Sequence, residues 1–315
     1  MPNSVAPLTG LQSSVARSGV LPATPANLYV ANLNASTITV YAPGTTSVLR
    51  TISEGVNGPL ALAFDSRQNL YIVNNGAGTV TVYAPGGTSV LRTISQGVSG
   101  PDALTFGSDG TLYVSNYNSN AVTSYAPGKT TVQQTISQGI NHPHVVAIES
   151  STLYVANGNN TVTVYAPAKA ILKRTISQGV SDPLALAFDS TGNLYVANYG
   201  GNTVTVYAPG STSVLRTISQ GLNQPAALGF SASGYLYVAN AGANTVTAYA
   251  PGKTRLAGTI SQGMNRPEVV AFKASVLYVA NFIGSTVTEY APAKEQLKRT
   301  ISQGVNDPIS LGFGP

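Results

Sequence analysis

The chain has 315 residues, a hydrophobic fraction of 43%, a charged fraction of only 9% and a formal net charge of +5. This composition is too apolar for a disordered chain, and the absence of cysteine excludes a disulfide framework and a thiolate-ligated zinc site. No apolar run approaches the roughly 18 residues that a membrane-spanning helix needs.

Residues 1–26 form the first segment and are rich in Ser, Pro and Ala. They lack a charged stretch followed by an apolar core, so they predict a flexible lead-in and not an intact signal peptide. If the lead-in is what remains of a processed leader, the protein works outside the cytoplasm. We therefore expect a secreted, periplasmic or cell-envelope protein.

The rest of the chain repeats a phrase close to LYVAN every 41 or 42 residues, with tyrosines at Tyr29, Tyr71, Tyr113, Tyr154, Tyr195, Tyr237 and Tyr278. Each repeat predicts four short strands. In the second copy they are PLALAF (59–64), NLYIVN (69–74), TVTVYAP (79–85) and SVLRTIS (89–95). Val, Ile, Thr and Tyr alternate with a period of two residues, and Gly- and Asn-rich turns separate the strands, so essentially no helix is expected.

Four strands in a unit of about 40 residues are typical of one blade of a β-propeller. The first copy lacks a leading strand, and the chain ends on an unmatched one, PISLGF (308–313). We therefore predict a single all-β domain over residues 27–315. It is a seven-bladed β-propeller of four-stranded antiparallel blades, in which the C-terminal strand completes the first blade and closes the ring. We expect a monomer.

The segment NLYVANYGGNTVTVYAPG (193–210) resembles the NHL-repeat class of propellers, whose blades carry a LYVAD-like strand, a Gly/Asn turn and a VxVY-like strand. The resemblance implies the fold, which hosts enzymes, binding proteins and scaffolds alike. Streptogramin lyases and gluconolactonase-like hydrolases are similar propellers that place a divalent metal or acidic groups at the channel mouth. The chain has no tryptophan and no clear match to either site motif, so no catalytic residue is transferred from them.

Comparison of the seven copies separates residues that build a blade from residues that the blade leaves free. Of the 17 tyrosines, seven lie in the LYV strand and seven end the TVTVY strand, which assigns them to packing. The asparagine that ends VAN recurs in every copy, and we expect its amide to bond the following turn. These are Asn32, Asn74, Asn116, Asn157, Asn198, Asn240 and Asn281.

Basic residues cluster between the YAP and TIS motifs, in the outermost strand and the turn before it. Cations on an outer strand discourage edge-to-edge pairing between molecules, so we do not expect a nucleic-acid partner. A contact with an anionic envelope or polysaccharide remains an alternative. The twelve residues are Arg50, Arg92, Lys129, Lys169, Lys173, Arg174, Arg216, Lys253, Arg255, Lys294, Lys298 and Arg299.

A shared proline begins the first strand of each blade, and the residue after it is variable. Four copies carry an aliphatic residue there, and three carry Asp102, His144 or Glu268. The residue before the proline also varies and includes His142 and Arg266. In a propeller the loop that holds these residues crosses one face and reaches the mouth of the central channel.

Three off-pattern aromatic residues, Tyr117, Tyr199 and Phe282, lie in the turn between the second and third strands, which belongs to the same face. Together with the variable residues around the proline they form the candidate ligand-binding site. Aromatic rings there would supply a stacking wall for a sugar or another flat ligand.

The three ionisable residues are also the candidate catalytic and metal-binding set. Asp102 and His144 open neighbouring blades, and Glu268 opens a blade three positions away, so we expect it to face them across the channel. Two carboxylates and an imidazole on one concavity could hold Mg²⁺ or Ca²⁺ or act as an acid/base pair. His142 or Tyr117 would then carry the proton.

A competing explanation is inheritance without selection. Blades two to four repeat as blades five to seven, and HPHVVAIE is the counterpart of RPEVVAFK (266–273). The charges in both could descend from one three-blade unit and drift on a solvated rim, because loop positions vary freely.

Three functions remain open. The first is a non-catalytic binding or scaffold propeller that presents the channel-mouth face to a small ligand, glycan or protein, and the lack of a nucleophile motif in the sequence fits it. The second is a divalent-metal-assisted lyase or hydrolase. The third is an engineered or recently amplified repeat protein with no evolved ligand.

Overall fold

The computed structural model describes residues 26–291 and 296–315, so residues 1–25 of the predicted lead-in lie outside the described part. The strands are β1 (Asn27–Asn32), β2 (Thr37–Tyr41), β3 (Val48–Ile52), β4 (Pro59–Phe64), β5 (Leu70–Asn74), β6 (Thr79–Tyr83), β7 (Val90–Ile94), β8 (Pro101–Phe106), β9 (Leu112–Asn116), β10 (Ala121–Tyr125), β11 (Gln134–Ile136), β12 (Pro143–Glu149), β13 (Thr152–Asn157), β14 (Thr161–Ala166), β15 (Ile171–Ile176), β16 (Pro183–Phe188), β17 (Leu194–Asn198), β18 (Thr203–Tyr207), β19 (Val214–Ile218), β20 (Pro225–Phe230), β21 (Leu236–Asn240), β22 (Thr245–Tyr249), β23 (Leu256–Ile260), β24 (Pro267–Lys273), β25 (Val276–Asn281), β26 (Thr286–Ala291), β27 (Gln296–Ile301) and β28 (Pro308–Gly314).

These strands form seven four-stranded antiparallel sheets, which confirms the predicted propeller. Blade 1 is β28-β1-β2-β3, and blades 2 to 7 follow in chain order, four strands each, from β4–β7 to β24–β27. The first strands of successive blades contact one another all the way around, including β24 with β28 and β28 with β4, so the ring is closed. Within the described residues the helical content is one 3-10 turn at Pro167–Lys169.

The closure of the ring is the pairing of β1 with β28. Leu28 lies opposite Phe313 and Val30 lies opposite Leu311 in this ladder. The C-terminal strand therefore supplies the innermost strand of the first blade, as predicted from the unmatched PISLGF segment.

Two sets of aromatic side chains, each repeated from blade to blade, stabilise the blades and their interfaces. Each tyrosine at the end of a third strand is fully buried, and in blade 2 the hydroxyl of Tyr83 donates to the carbonyl of Glu54 in the preceding loop. Tyrosines of the second strand meet a phenylalanine of the next blade edge to face, as in Tyr71 and Phe106 with ring centroids 5.0 Å apart. Such T-shaped pairs stabilise an interface beyond the area that they bury.

The basic outer strands have a structural role that was not predicted from the sequence. Four of their arginines lie over the tyrosine of the second strand in the same blade, at 5.5 to 6.0 Å from the ring centroid, and donate to its hydroxyl. They are Arg50, Arg92, Arg174 and Arg216. These cations are therefore partly engaged within their own blades through cation–π contacts and hydrogen bonds.

No helix of the described residues is long and apolar enough to cross a membrane, in agreement with the hydropathy of the sequence.

Candidate functional site

The channel-mouth face is built by seven loops that each lead into the proline of a first strand. The residue before this proline has a positive φ in every blade, for example 56° at Gly58, 44° at His142 and 53° at Arg266. Non-glycine residues rarely adopt this conformation, so another contact must hold it. The N–H of His142 donates to Asn120 Oδ1 at 2.7 Å, and the N–H of Arg266 donates to Asn244 Oδ1 at 2.6 Å. Side chains of the preceding blade thereby fix both loops.

The seven residues after the proline are all buried. Asp102 is 1% exposed, His144 4% and Glu268 1%, and the other four are Leu60, Leu184, Ala226 and Ile309. The turns between second and third strands cover these three side chains. They therefore do not lie on a solvated rim, as the explanation by drift without selection requires. A buried charge is costly unless it is paired, so each of the three needs a physical account.

Asp102 and His144 come together, as the order of their blades predicted. Asp102 Oδ2 lies 3.5 Å from His144 Nδ1. Asp102 Oδ1 accepts a hydrogen bond of 3.3 Å from the Nδ2 group of Asn75. Asn75 belongs to the turn of the preceding blade, so three successive blades contribute to this polar group.

Tyr117 lies against both histidines. Its ring centroid is 4.6 Å from that of His142 and 5.4 Å from that of His144. The turn of blade 4 carries Gly158 at the position of Tyr117. A Cβ on Gly158 would lie 3.2 Å from the Cβ of His142 and 3.3 Å from Nε2 of His144. The missing side chain therefore leaves room for the two histidines beneath this turn.

Glu268 forms a second polar group with Arg266. The Nε group of Arg266 donates to Glu268 Oε1 at 2.7 Å, and its guanidinium lies 5.3 Å from the ring centroid of Phe282. The other carboxylate oxygen, Oε2, is buried and has no hydrogen-bond partner among the described residues. Burial raises the pKa of Glu268 to about 7, although Arg266 acts in the opposite direction. Desolvation thus exceeds the attraction of a single, partly exposed guanidinium.

Tyr199 joins the Glu268 group from two blades away. Burial raises the pKa of its hydroxyl, and the charge of Glu268 raises it further while Arg266 lowers it. The blade between them carries only Ala226 and Ala241 at the equivalent positions, and both are buried.

The remaining side chains at this end of the channel form one apolar cluster. Leu60, Leu184, Ala226, Ala241, Phe282 and Ile309 belong to it, with Leu33 and Tyr199 packed against it. The mouth is therefore asymmetric: the Asp102 and His144 side is polar, and the opposite side is apolar except for Arg266 and Glu268.

The expected convergence of Glu268 with Asp102 and His144 is not found. Over residues 26–291 and 296–315, no three His, Asp or Glu side chains come close enough to hold a metal ion. Glu268 instead pairs with Arg266, which stands two residues before it on the same loop. These residues do not fit Mg²⁺ or Ca²⁺, because both ions require several oxygen ligands.

Sequence reasoning missed two parts of the site. Asn75 and Gly158 stand at the same repeat position as Tyr117 and Tyr199, but only the aromatic residues at that position were predicted to matter. Comparing this position across all copies would have identified both.

Another off-pattern residue, Glu289, lies in β26 where most blades have an aliphatic residue, and its Oε2 lies 2.9 Å from Arg299 Nε. Burial, together with the negative charge of Glu289, raises the pKa of Tyr278 to about 12.

Comparisons with known proteins support the fold. No protein-family model matches the chain, so the NHL likeness of its repeats stays a resemblance, and no curated protein matches it either. Among solved structures, a putative 6-phosphogluconolactonase from Bacteroides fragilis is similar with a TM-score of 0.75 and 18% identity, covering 93% of this chain and 99% of that one. The computationally designed Ika8 protein is similar with a TM-score of 0.65 and 18% identity, covering 82% of this chain and 79% of that one. Identities this low show a shared propeller architecture and nothing of the activity.

Proposed function

We propose that the protein is a non-catalytic binding propeller of the secreted or envelope compartment. Its ligand is a small polyhydroxylated molecule, such as a mono- or oligosaccharide, bound at the channel mouth. Tyr117 and Tyr199 stack on its apolar ring faces, and its hydroxyl groups bond to Glu268, Arg266 and His142.

The observation that carries this proposal is the unpartnered oxygen of Glu268. This atom is buried without a hydrogen-bond donor among the described residues, and native structures leave few such groups. The equivalent position accepts Leu60, Leu184, Ala226 or Ile309, so the scaffold does not need a carboxylate there. A ligand hydroxyl is a donor that would satisfy it.

The surroundings of Glu268 favour a sugar over a charged ligand. Phe282 supports the guanidinium of Arg266, which is 12% exposed and is already paired with Glu268. The guanidinium is therefore already engaged, whereas half-buried tyrosines and polar side chains suit a neutral, flat and hydroxyl-rich molecule.

A second candidate function is hydrolysis of a lactone or ester by the Asp102 and His144 pair. His144 would take a proton from water as that water attacks the carbonyl carbon. The C–O bond would then break, and His144 would return the proton to the departing alkoxide. Asp102, 3.5 Å from His144 Nδ1, would orient the ring. The similar fold of the putative lactonase is a reason to test this candidate. It does not assign a role to any residue of this chain.

The third alternative is a repeat protein without an evolved ligand, and the experiment below distinguishes it from the other two. One similar structure is that of a designed propeller, and near-identical blades are compatible with recent amplification.

The test is a ligand-detected NMR screen of mono- and oligosaccharides against the parent protein. We expect saturable binding that weakens by about two- to tenfold in Tyr199→Leu, since one stacked ring contributes about 0.5–1.5 kcal/mol. The matched control is Tyr235→Leu, a substitution in a turn of the opposite face, which should leave binding unchanged. Turnover of a lactone that is lost in Asp102→Asn would instead establish the hydrolase, and neither binding nor turnover would favour an idle scaffold.

A further inference from the structure

A separate cavity lies on the opposite face of the propeller, between blades 2 and 3. It has a volume of about 60 Å³ and is lined by Asp65, Arg67, Tyr71 and Arg92 of blade 2 together with Gly110 and Gly128 of blade 3. A volume of this order suits one small ion or a few water molecules. None of these residues belongs to the channel-mouth site.

Arg92 is held in one orientation beside this cavity. Its Nη2 group donates to the hydroxyl of Tyr71 at 2.6 Å, and its guanidinium lies 5.6 Å from the centroid of that ring. Tyr71 is itself fixed by its edge-to-face contact with Phe106 of blade 3. A guanidinium that is already ordered loses little entropy when it binds a second partner.

The Nε group of Arg92 is buried and has no hydrogen-bond partner among the described residues. Blade 7 shows what chemistry suits this position. There Glu289 stands where blade 2 has Val82, and its carboxylate lies 2.9 Å from Nε of Arg299. An oxyanion is thus the natural partner of this nitrogen, and the described residues of blade 2 offer no acceptor for it.

Arg67 supplies a second cation. It lies in the exposed turn DSRQN, where the corresponding turn of blade 5 reads DSTGN with Thr191. The carboxylate of Asp65 also lines the cavity, but it accepts hydrogen bonds from the N–H groups of Arg67 and Asn69 and from the side chain of Asn69, at 2.8 to 2.9 Å. The cavity is therefore lined by two guanidinium groups and by one carboxylate whose hydrogen bonds are already made. Its net charge is positive.

Blade 5 provides an internal comparison. Its Asp189 and Tyr195 repeat the arrangement, and Arg216 donates to the hydroxyl of Tyr195 at 2.8 Å. The Nε groups of Arg50, Arg174 and Arg216 are also buried without a partner among the described residues, so this nitrogen alone does not distinguish blade 2. The feature that blade 5 lacks is the second cation, since Thr191 stands in the place of Arg67.

We propose that this cavity is a binding site for one small tetrahedral oxyanion, of the size of phosphate or sulfate. Arg92 donates to the anion from its ordered guanidinium, which lines the cavity, and Arg67 covers the open side from the turn. Guanidinium groups suit this role because their donors match the spacing of phosphate oxygens.

The experiment is a titration of the full chain with inorganic phosphate at constant ionic strength, followed by the Nε–H resonances of its arginines in ¹⁵N–¹H NMR spectra. We expect saturable shifts of the Arg92 and Arg67 resonances, and the same shifts with sulfate. Acetate and chloride at the same concentration serve as probes of non-specific anion binding and should have little effect.

Two variants test the assignment. Arg67→Thr gives the turn the residue of blade 5, which the scaffold already tolerates, and should weaken phosphate binding at least about tenfold. Arg216→Gln is the matched control for Arg92→Gln, because each removes an arginine from the same kind of tyrosine contact. Only Arg92→Gln should abolish the phosphate-induced shift of the Arg67 resonance. Non-saturable shifts, unchanged binding in Arg67→Thr, or equal losses in Arg92→Gln and Arg216→Gln would overturn the proposal.

Discussion

At the residue scale, the position after the shared proline is where the chemistry of the seven blades differs most clearly. Four blades fill it with an aliphatic side chain, and three bury a polar one at the same place. A buried polar side chain costs free energy unless the protein satisfies it. Asp102 Oδ2 lies at an ion-pair distance of 3.5 Å from His144 Nδ1, and Glu268 pairs with Arg266 but keeps one oxygen without a hydrogen-bond partner among the described residues.

The pKa of Glu268 makes stability depend on pH. Since the folded value is about 7 and the ordinary value is 4.5, the folded state holds more protons than the unfolded state between these values. The free energy of unfolding should therefore fall as the pH rises from about 4.5 to about 7, by up to ~3 kcal/mol. Urea unfolding at pH 5 and pH 8 measures the change. Glu268→Gln, which has no titratable group, should remove most of it, and an equal pH dependence in both proteins would contradict this assignment.

The Asp102 and His144 pair can be tested by a double-mutant cycle with leucine, the residue of blades 2 and 5. Each single substitution leaves the other polar group buried and should lower the free energy of unfolding by about 1–3 kcal/mol. The double substitution should lie within about 1 kcal/mol of the parent, because both polar groups are gone. Denaturant unfolding of the four proteins gives the coupling, and strictly additive losses would show that the two side chains do not interact.

At the element scale, the repeated asparagine joins three parts of each blade. The Nδ2 group of Asn198 donates to Thr203 and Thr205, each at 3.1 Å, and its Oδ1 accepts from the N–H of Ser181 at 3.0 Å. The amide was predicted to bond the following turn, but its hydrogen bonds reach past that turn to Thr203 and Thr205 of β18. It therefore ties the third strand to the loop that carries the channel-mouth residues.

Replacement of this asparagine should therefore damage the whole element. In Asn198→Ala the buried Thr205 hydroxyl and the Ser181 N–H lose their partner, and we expect a loss of about 3 kcal/mol in the free energy of unfolding. Asn118→Ala, at an exposed turn position, is the control and should change it by less than about 0.5 kcal/mol. Similar effects of the two substitutions in thermal unfolding would mean that the amide network contributes little.

The strands were predictable because their signals are local and are repeated seven times. Turn residues and β-branched alternation locate β4 to β7 within one or two residues of the observed ends. The burial of Asp102 was not predictable in the same way. Asp102 is bonded by Asn75 from the preceding blade, and no other copy has an asparagine at that position, so the repeat gives no sign of this contact. The pairing of Glu268 with Arg266 could have been suspected from their spacing of two residues around the proline.

At the scale of the whole molecule, β28 is the element on which the ring depends. It lies between β1 and blade 2, and a Cβ on Gly312 would lie 2.3 Å from a methyl carbon of Leu62. The neighbouring blades therefore pack closely around this strand. Without it, β1 would be an open strand edge and two blade interfaces would lose their inner contacts.

Deletion of residues 308–315 should abolish cooperative unfolding of the ring or lower its melting temperature by more than about 10 °C, since several buried side chains and a full strand ladder are lost. Deletion of residues 1–20 is the control and should be mild. Calorimetry of the two truncated proteins measures both melting temperatures and the cooperativity of unfolding. Equal and small effects would mean that ring closure does not depend on β28.

Glu268→Leu allows sugar binding and fold stability to be measured on one variant of the proposed site. Leucine is the residue of two other blades at this position. The substitution removes a costly buried carboxylate but leaves the partly exposed Arg266 without its partner, so the free energy of unfolding should stay within about 1 kcal/mol of that of the parent. The same protein should lose binding of the sugar identified in the screen, because the carboxylate is retained for the ligand and not for the fold. A variant that is as stable as the parent and no longer binds would meet the prediction. A variant that binds the sugar as tightly as the parent, or that is destabilised by several kcal/mol, would contradict it.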